Sequence, residues 1–359
     1  MDLLELRLIG FAILTLLVGC ASTSQTVSPA VATITFLPEG PNWQSYEVLA
    51  ETFNAQHPTI HVTVLNPADF ATADPTGDPL DRVADLFQAA DVILYLDLDA
   101  STLARSGLVQ DLAPLFSGDD RSMAGDFYPT LLERYQGSAG LWGLPLNVIP
   151  RMLMYDDETW RAHHLLPPDP TWGWEAFLGA AQTLTDAERG TWGFVDSVES
   201  AGFLDFMHLN GAHLVSNDVA TFSDALAVEA LSWYVDLARQ YHVMPIDENS
   251  CGTSNTCWGA AEMWIEPSTT TRADNPAQMP LPLGHLQGRY GASVSTLYLS
   301  ARTLHPQASW AWMRFLTQQL PAPGTLPVRR SVFTFTNYQA TLVDETRAAY
   351  AHILTHLTP

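Results

Sequence analysis

No lysine occurs in the 359 residues; all 16 basic residues are arginine. That absence removes chemistries that require a side-chain amine: a Walker A phosphate loop, a pyridoxal-phosphate Schiff base and a Ser-Lys nucleophile. The 16 cations stand against 39 acids, a formal charge of -23. Phosphate backbones are held by clustered Lys and Arg, so the balance argues against a nucleic-acid partner, and an acidic surface favours solubility. Glycine is present at 22 positions, yet no two lie two residues apart, so GxG-type dinucleotide loops are missing. No Gly-x-Ser-x-Gly elbow occurs, and none of the eleven histidines precedes Glu, which removes HExxH. Cysteine is scarce, with three residues. What remains is a 47% hydrophobic chain long enough for two domains or one large one.

The N-terminus carries Arg7 and then an apolar run from Leu8 to Val18, too short to span a bilayer. It reads as a signal peptide over 1–19, although Asp2 and Glu5 leave its start weakly positive. Leu17-Val18-Gly19-Cys20 resembles a bacterial lipobox, in which Cys20 is lipidated and 20–31 forms a tether. The plainer reading of Cys20 is a buried thiol in an apolar helix. Acyl chains contribute about 0.8 kcal/mol per buried methylene, enough together to hold an exported protein on the membrane, facing the extracellular or periplasmic side. In an exported chain the remaining Cys251 and Cys257 invite a local disulfide worth roughly 2 kcal/mol, pinning a loop. As zinc ligands the two thiols lack a nearby His or a second pair.

Beyond the tether, Thr33 to Leu37 reads as a strand ended by Pro38-Glu39-Gly40-Pro41. Tyr46, Leu49, Ala50 and Phe53 recur at helical spacing, His57-Pro58 stops that pattern, and Ile60 to Val64 resumes as a strand. This β-α-β opening predicts an α/β fold with largely parallel pairing. Ala90 to Leu96 is apolar enough for a strand buried on both faces. Asn66 to Asp85, rich in Pro, Asp and Gly, reads as a loop with one short helix. Later helices are expected around Phe203 to Gly211 and over Ala225 to Tyr241.

The order of elements from Gln136 to Thr185 resembles the extracellular solute-binding proteins of ABC importers, family 1, the maltose-binding-like group. The resemblance lies in a Gly-rich turn into Leu144-Pro145, an apolar strand ending at Tyr155-Asp156, a short helix, a Pro-rich break, and Thr171-Trp172 starting an amphipathic helix. FNAQHPTIHVTV, GAAEMWIE, MPLPLG and SWAWMRFL extend it over nearly the whole mature chain. The resemblance implies a two-lobed, periplasmic-binding-protein-like (type II) α/β fold. Lobe 1 is expected over 32–148 plus 284–322, lobe 2 over 149–283 plus 323–359, with the crossings as hinge. It also implies a monomer that binds a small solute between the lobes and delivers it to an ABC permease, without catalysis or cofactor. Two departures bear on the solute. Ile149 stands where some relatives carry a sugar-binding acid, and Pro267 and Thr269 replace an expected Gly and Trp.

Several residues are candidates for solute contact. Glu39 and Trp43 follow the first strand, and Asp97 and Asp99 follow the third, where ligands of open α/β sheets bind; capping or a turn is the alternative for the two aspartates. Asn147 and Arg151 lie along the first crossing, Trp264 and Glu266 just past GAAEM. Trp faces suit sugar rings, but Trp160, Trp172, Trp233, Trp310 and Trp312 read as core. Arg329 and Arg330 match the segment re-entering the second lobe, where an ion pair within the fold competes with a ligand role. His352 and His356, spaced i, i+4, lack a third metal ligand, and His163-His164 reads as a polar turn. The abundant acids leave a lipid-anchored glycoside hydrolase as an alternative, and a peptide or polyamine as alternative solutes.

Overall fold

The computed structural model describes residues 30–40, 42–70, 79–96, 98–118, 121–137, 140–186, 188–196, 202–216, 219–246, 261–270, 276–286, 288–335 and 337–358. The chain opens with strand β1 (Ala32–Leu37), helix α1 (Gln44–Gln56) and strand β2 (Ile60–Val64). Helix α2 (Pro79–Ala89) then leads to strand β3 (Val92–Leu96). β1 pairs in parallel with both β2 and β3, so the chain leaves β1 to one side and crosses back to the other. Right-handed crossovers in opposite directions place α1 and α2 on opposite faces of the sheet. Asp91 fastens the β1/β3 seam: its Oδ2 accepts from both the amide and the hydroxyl of Thr35, each at 2.8 Å.

Apolar character along these strands follows burial. Ile34 and Phe36 are fully buried on β1, and Val92 and Ile93 on β3. Helix α7 (Pro306–Leu316) covers the α1 face, inserting Trp312 edge-on against Phe36 and Phe53 with ring centroids 5.5 and 5.2 Å apart. Fully buried Trp312 thus centres this core.

Strand β4 (Leu144–Tyr155) connects two groups of strands. Its residues 144–150 pair antiparallel with β7 (Ala292–Leu299), which itself pairs with β3. Its residues 151–155 pair instead with β5 (Met263–Pro267) and β6 (Ala277–Met279). The short β8 (Leu326–Pro327) lies against Val148 and Asn147 of β4. The sheet order is therefore β6-β4-β7-β3-β1-β2, with β5 and β8 also on β4.

The core continues around β5 and β6 under helices α4 (Trp174–Leu184), α5 (Gly202–Leu209), α6 (Ala225–Arg239) and α8 (Asp344–Thr355). Phe177, Phe194, Phe206 and Trp233 interlock there, and the Trp233 ring stacks on Trp174 at 4.4 Å. Gly193 permits the close approach of its loop to α4, because a Cβ would fall 1.9 Å from the Ala181 carbonyl oxygen.

Two sequence expectations are corrected. The stretch Asn66 to Asp85 contains more helix than expected: a 3-10 turn at Pro67–Phe70 and the first two turns of α2, which continues to Ala89. Its buried Val83 and Phe87 lie one turn apart, which was masked by the Pro/Asp-rich run before them. Helix α4 begins after Gly173 rather than at Thr171-Trp172. Trp172 instead sits buried before the helix and donates its indole N–H to the Pro280 carbonyl at 2.9 Å.

Candidate functional site

Ligands of open α/β sheets bind beyond the carboxyl ends of the strands, where the strand order reverses. Here the reversal lies between β1 and β3, and a cavity of about 230 Å³ opens there. Pro38, Glu39 and Gly40 leave β1 on one side, Tyr95 closes it from β3, and Phe70 and Leu86 form apolar walls. Gly40 turns the chain with φ +86°, a conformation that costs glycine little. The Glu39 carboxylate is exposed. Its charge reaches Tyr46, whose phenol is pushed up to about 12 by burial and, secondarily, by Glu39. The cavity therefore combines two aromatic rings, an aliphatic wall and one carboxylate, a set that can grip a ring with polar substituents.

Trp43 is half-buried at the residue preceding α1. Asp99 takes the capping role: its carboxylate accepts the Thr102 N–H at 2.8 Å at the start of helix α3 (Ala100–Ser106). Asp97, Cys20, Cys251 and Cys257 lie outside the described residues. Asn147 is buried, 7% exposed, on β4 between Ser295 and Pro327. The β4/β7 register shifts beside it, between Ser295 and Thr296, a bulge that bends the strand.

Past the point where β4 changes partners, Arg151 Nε donates to Asp205 Oδ2 at 2.6 Å. Asp205 is a buried acid that sequence reading missed. Burial pushes its carboxyl up to about 6, Arg151 opposes the rise and Asp196 adds to it. A signal existed, because Gly202, Asp205, Phe206 and Leu209 fall on one helical stripe and an acid there is out of place. Glu266 pairs across from Met152 and Trp264 from Met154. Trp264 is only 4% exposed and belongs to the hydrophobic core, so its ring is not presented to solvent.

Arg329 is committed to the fold. Its Nε reaches Asp126 Oδ2 at 2.7 Å, its Nη1 bonds the Thr317 hydroxyl, and its guanidinium lies 5.5 Å from the Phe127 ring centre. Burial alone would raise the Asp126 carboxyl, but hydrogen bonds from Ser331 and the Arg329 charge hold it below the usual range. Arg330 lies over the Tyr128 ring at 5.6 Å. The His352 and His356 rings stack at 4.3 Å, and among the described residues no group of three His, Cys, Asp or Glu could hold a metal ion.

With this geometry in view, the sequence profile of the bacterial extracellular solute-binding proteins matches residues 40–319, well over half the chain. The chain belongs to that family. An uncharacterised lipoprotein of Streptomyces antibioticus, encoded in the oleD 5' region, is 28% identical over 184 residues. That match spans 49% of this chain and 38% of the relative, so the chain covers less than half of that protein's length. Solved solute-binding proteins share the two-lobed fold. The sugar-binding protein MalE of Xanthomonas citri superposes with a TM-score of 0.73 at 19% identity, covering 91% of this chain and 86% of its own. The ABC substrate-binding protein Lmo0181 of Listeria monocytogenes, in complex with cycloalternan, gives 0.70 at 16% identity, covering 92% and 88%. The GacH receptor of Streptomyces glaucescens gives 0.65 at 17%, covering 91% and 87%. Among the described residues no helix is long and apolar enough to cross a membrane.

Proposed function

We propose that this family member is the exported, lipid-anchored receptor of an ABC importer, a monomer that takes a neutral mono- or oligosaccharide between its lobes and presents it to a membrane permease. The carrying observation is the aromatic-walled cavity with its Glu39 carboxylate at the β1/β3 reversal, in a chain of the solute-binding family. Cycloalternan and acarbose, bound by two proteins of the same fold, favour a carbohydrate over a peptide or polyamine. The cavity accommodates about one ring, so a longer sugar would extend toward the second lobe.

In this reading lobe 1 comprises 32–148 plus 284–322 and lobe 2 comprises 149–283 plus 323–359, a division supported by the change of β4 partners between Pro150 and Arg151. Glu39, Trp43, Asp97, Asn147 and Glu266 are the proposed solute contacts. Asp99, Arg151 and Arg329 hold the surrounding backbone through the cap and ion pairs already described. Closure follows because only the closed form gives the solute contacts from both lobes. Cys20 carries the lipid, and a Cys251–Cys257 disulfide pins its loop.

Calorimetric titration of the mature protein against maltose, maltotetraose, acarbose, cyclic glucans and monosaccharides tests the proposal. Saturable one-site binding of at least one sugar is expected. Silence toward every sugar, with binding of a peptide or polyamine, overturns it. Steady release of reducing sugar, lost in a single Asp or Glu variant, establishes the hydrolase alternative instead.

A further inference from the structure

A second cavity, of about 1000 Å³, shares no lining residue with the one at the β1/β3 reversal. Leu204 and His208 of α5 and Leu226 of α6 line it from the helical side. Opposite them stand two short antiparallel strands, Val215–Ser216 and Val219–Ala220. Side chains alternate along such strands, and Val215 pairs with Ala220, so these two share a side with His213 and Phe222; all four line the cavity. Leu286 adds an apolar wall from the segment before β7.

Val215, Phe222 and Leu286 are 67%, 52% and 62% exposed, so three large apolar side chains around one concavity stand more than half in water. Apolar surface gathered this way marks a binding site. The cationic group of the cavity is Arg289, and backbone bonds seat it on the end of α5. Its amide donates to the His208 carbonyl at 3.1 Å, and the Gly284 and Gly288 amides donate to the Leu209 carbonyl at 3.0 and 2.8 Å. Only glycine fits at 288, where a Cβ would fall 1.9 Å from the His208 carbonyl oxygen. Because these amides take the last carbonyls of α5, the negative end of the helix is offset there. No acid lines the cavity, in a chain with 39 acids, and among the described residues no carboxylate pairs with Arg289.

We propose that this cavity binds a soluble aliphatic carboxylate, with its chain against Leu204, Leu226, Phe222 and Leu286 and its carboxylate on the Arg289 guanidinium. The planar guanidinium fork matches a carboxylate in shape and charge. Arg289 is the one permanent cation among the lining residues, which suits a single negative charge. Burial and the neighbouring His213 hold the His208 imidazole below its ordinary range, so it offers a hydrogen bond rather than a second charge. The walls are mostly aliphatic, with Phe222 the one aromatic ring, and favour a chain over a stacked ring. The inference goes beyond the solute-receptor reading and does not depend on it, because the two cavities have no residue in common.

The test titrates the mature protein carrying Cys20→Ser, so that no acyl anchor competes, with octanoate, decanoate and dodecanoate below their micelle concentrations, followed by calorimetry. One-site binding is expected, tightening about two- to fourfold with each added methylene. Arg289→Gln is expected to weaken decanoate about fivefold and to leave the neutral 1-decanol unchanged. Phe222→Ser, at an exposed position, should weaken both ligands, whereas Val228→Ser, exposed on α6 outside the cavity, should weaken neither. Absence of saturable decanoate binding by the wild type overturns the proposal without any variant. So does binding that Arg289→Gln and Phe222→Ser both leave unchanged, since the ligand then sits elsewhere. Silence toward decanoate, with sedimentation on phosphatidylglycerol vesicles, assigns this face to a membrane surface and overturns the proposal as well.

Discussion

Replacing Asp205 by Asn tests whether the buried ion pair stabilises the fold or is a cost the fold carries. The ordinary carboxyl value is 3.8 and the folded one about 6, raised first by burial. Between these values the folded chain holds a proton that the unfolded chain has released, so stability falls as pH rises through this window. At about 1.4 kcal/mol per pH unit, the full penalty above pH 6 is about 3 kcal/mol. Asn cannot ionise, yet its amide oxygen still accepts from Arg151 Nε, so the hydrogen bond at 2.6 Å is preserved in kind. Asp205→Asn is therefore expected to equal the wild type near pH 4 and to exceed it by up to about 3 kcal/mol at pH 7.5. Urea unfolding of both proteins across this range measures the difference, and the other titrating groups cancel in the comparison. A variant less stable than the wild type at pH 7.5 would show that attraction to Arg151 outweighs the desolvation of the carboxylate, and the reasoning would fail.

Trp312→Ala should cost about 3–5 kcal/mol, since it empties the core between Phe36 and Phe53; urea midpoints report it, and a loss below about 1 kcal/mol would contradict the packing. Arg329→Met leaves the Asp126 carboxylate without its guanidinium and is expected to destabilise the chain by about 3 kcal/mol at pH 7. Because Asp126 is held below its ordinary 3.8, its contribution is present above that value and is lost as pH falls through the lower folded value, so the gap from wild type should narrow in acid. Glu39→Gln should weaken solute binding about tenfold with little change in melting temperature, as expected for an exposed carboxylate that bonds ligand hydroxyls; unchanged affinity in titration would remove Glu39 from the site.

Local pattern was readable where burial is one-sided and short in range. Ile60 to Val64 was located to the residue, and β1 and α1 nearly so, because alternation and helical spacing report which side chains leave water. The eleven residues of α2 were under-read, since turn-forming Pro, Asp and Gly crowd the sequence before its Val83/Phe87 stripe. The start of α4 was misplaced by two residues because Trp172 is buried whether or not it is helical; the helix begins where Gly173 adopts an extended conformation.

For the site, the sequence offered candidate residues but could not weigh them against one another. Glu39 lines the cavity, whereas Asp99 caps a helix and Trp264 fills the core, choices that depend on where each side chain's neighbours come from. Asp126 and Arg329 are 203 positions apart, and Arg151 and Asp205 are 54, so no local spacing could have joined them. The sequence by itself determined the absence of lysine chemistry, the acidic surface, the α/β alternation and the family. Only the tertiary structure decided which charges are paired, which rings face a cavity, and that β4 changes partners between Pro150 and Arg151. The physical reason is range: periodicity reports a residue's exposure, while pairing and desolvation are set by groups that arrive from distant parts of the chain.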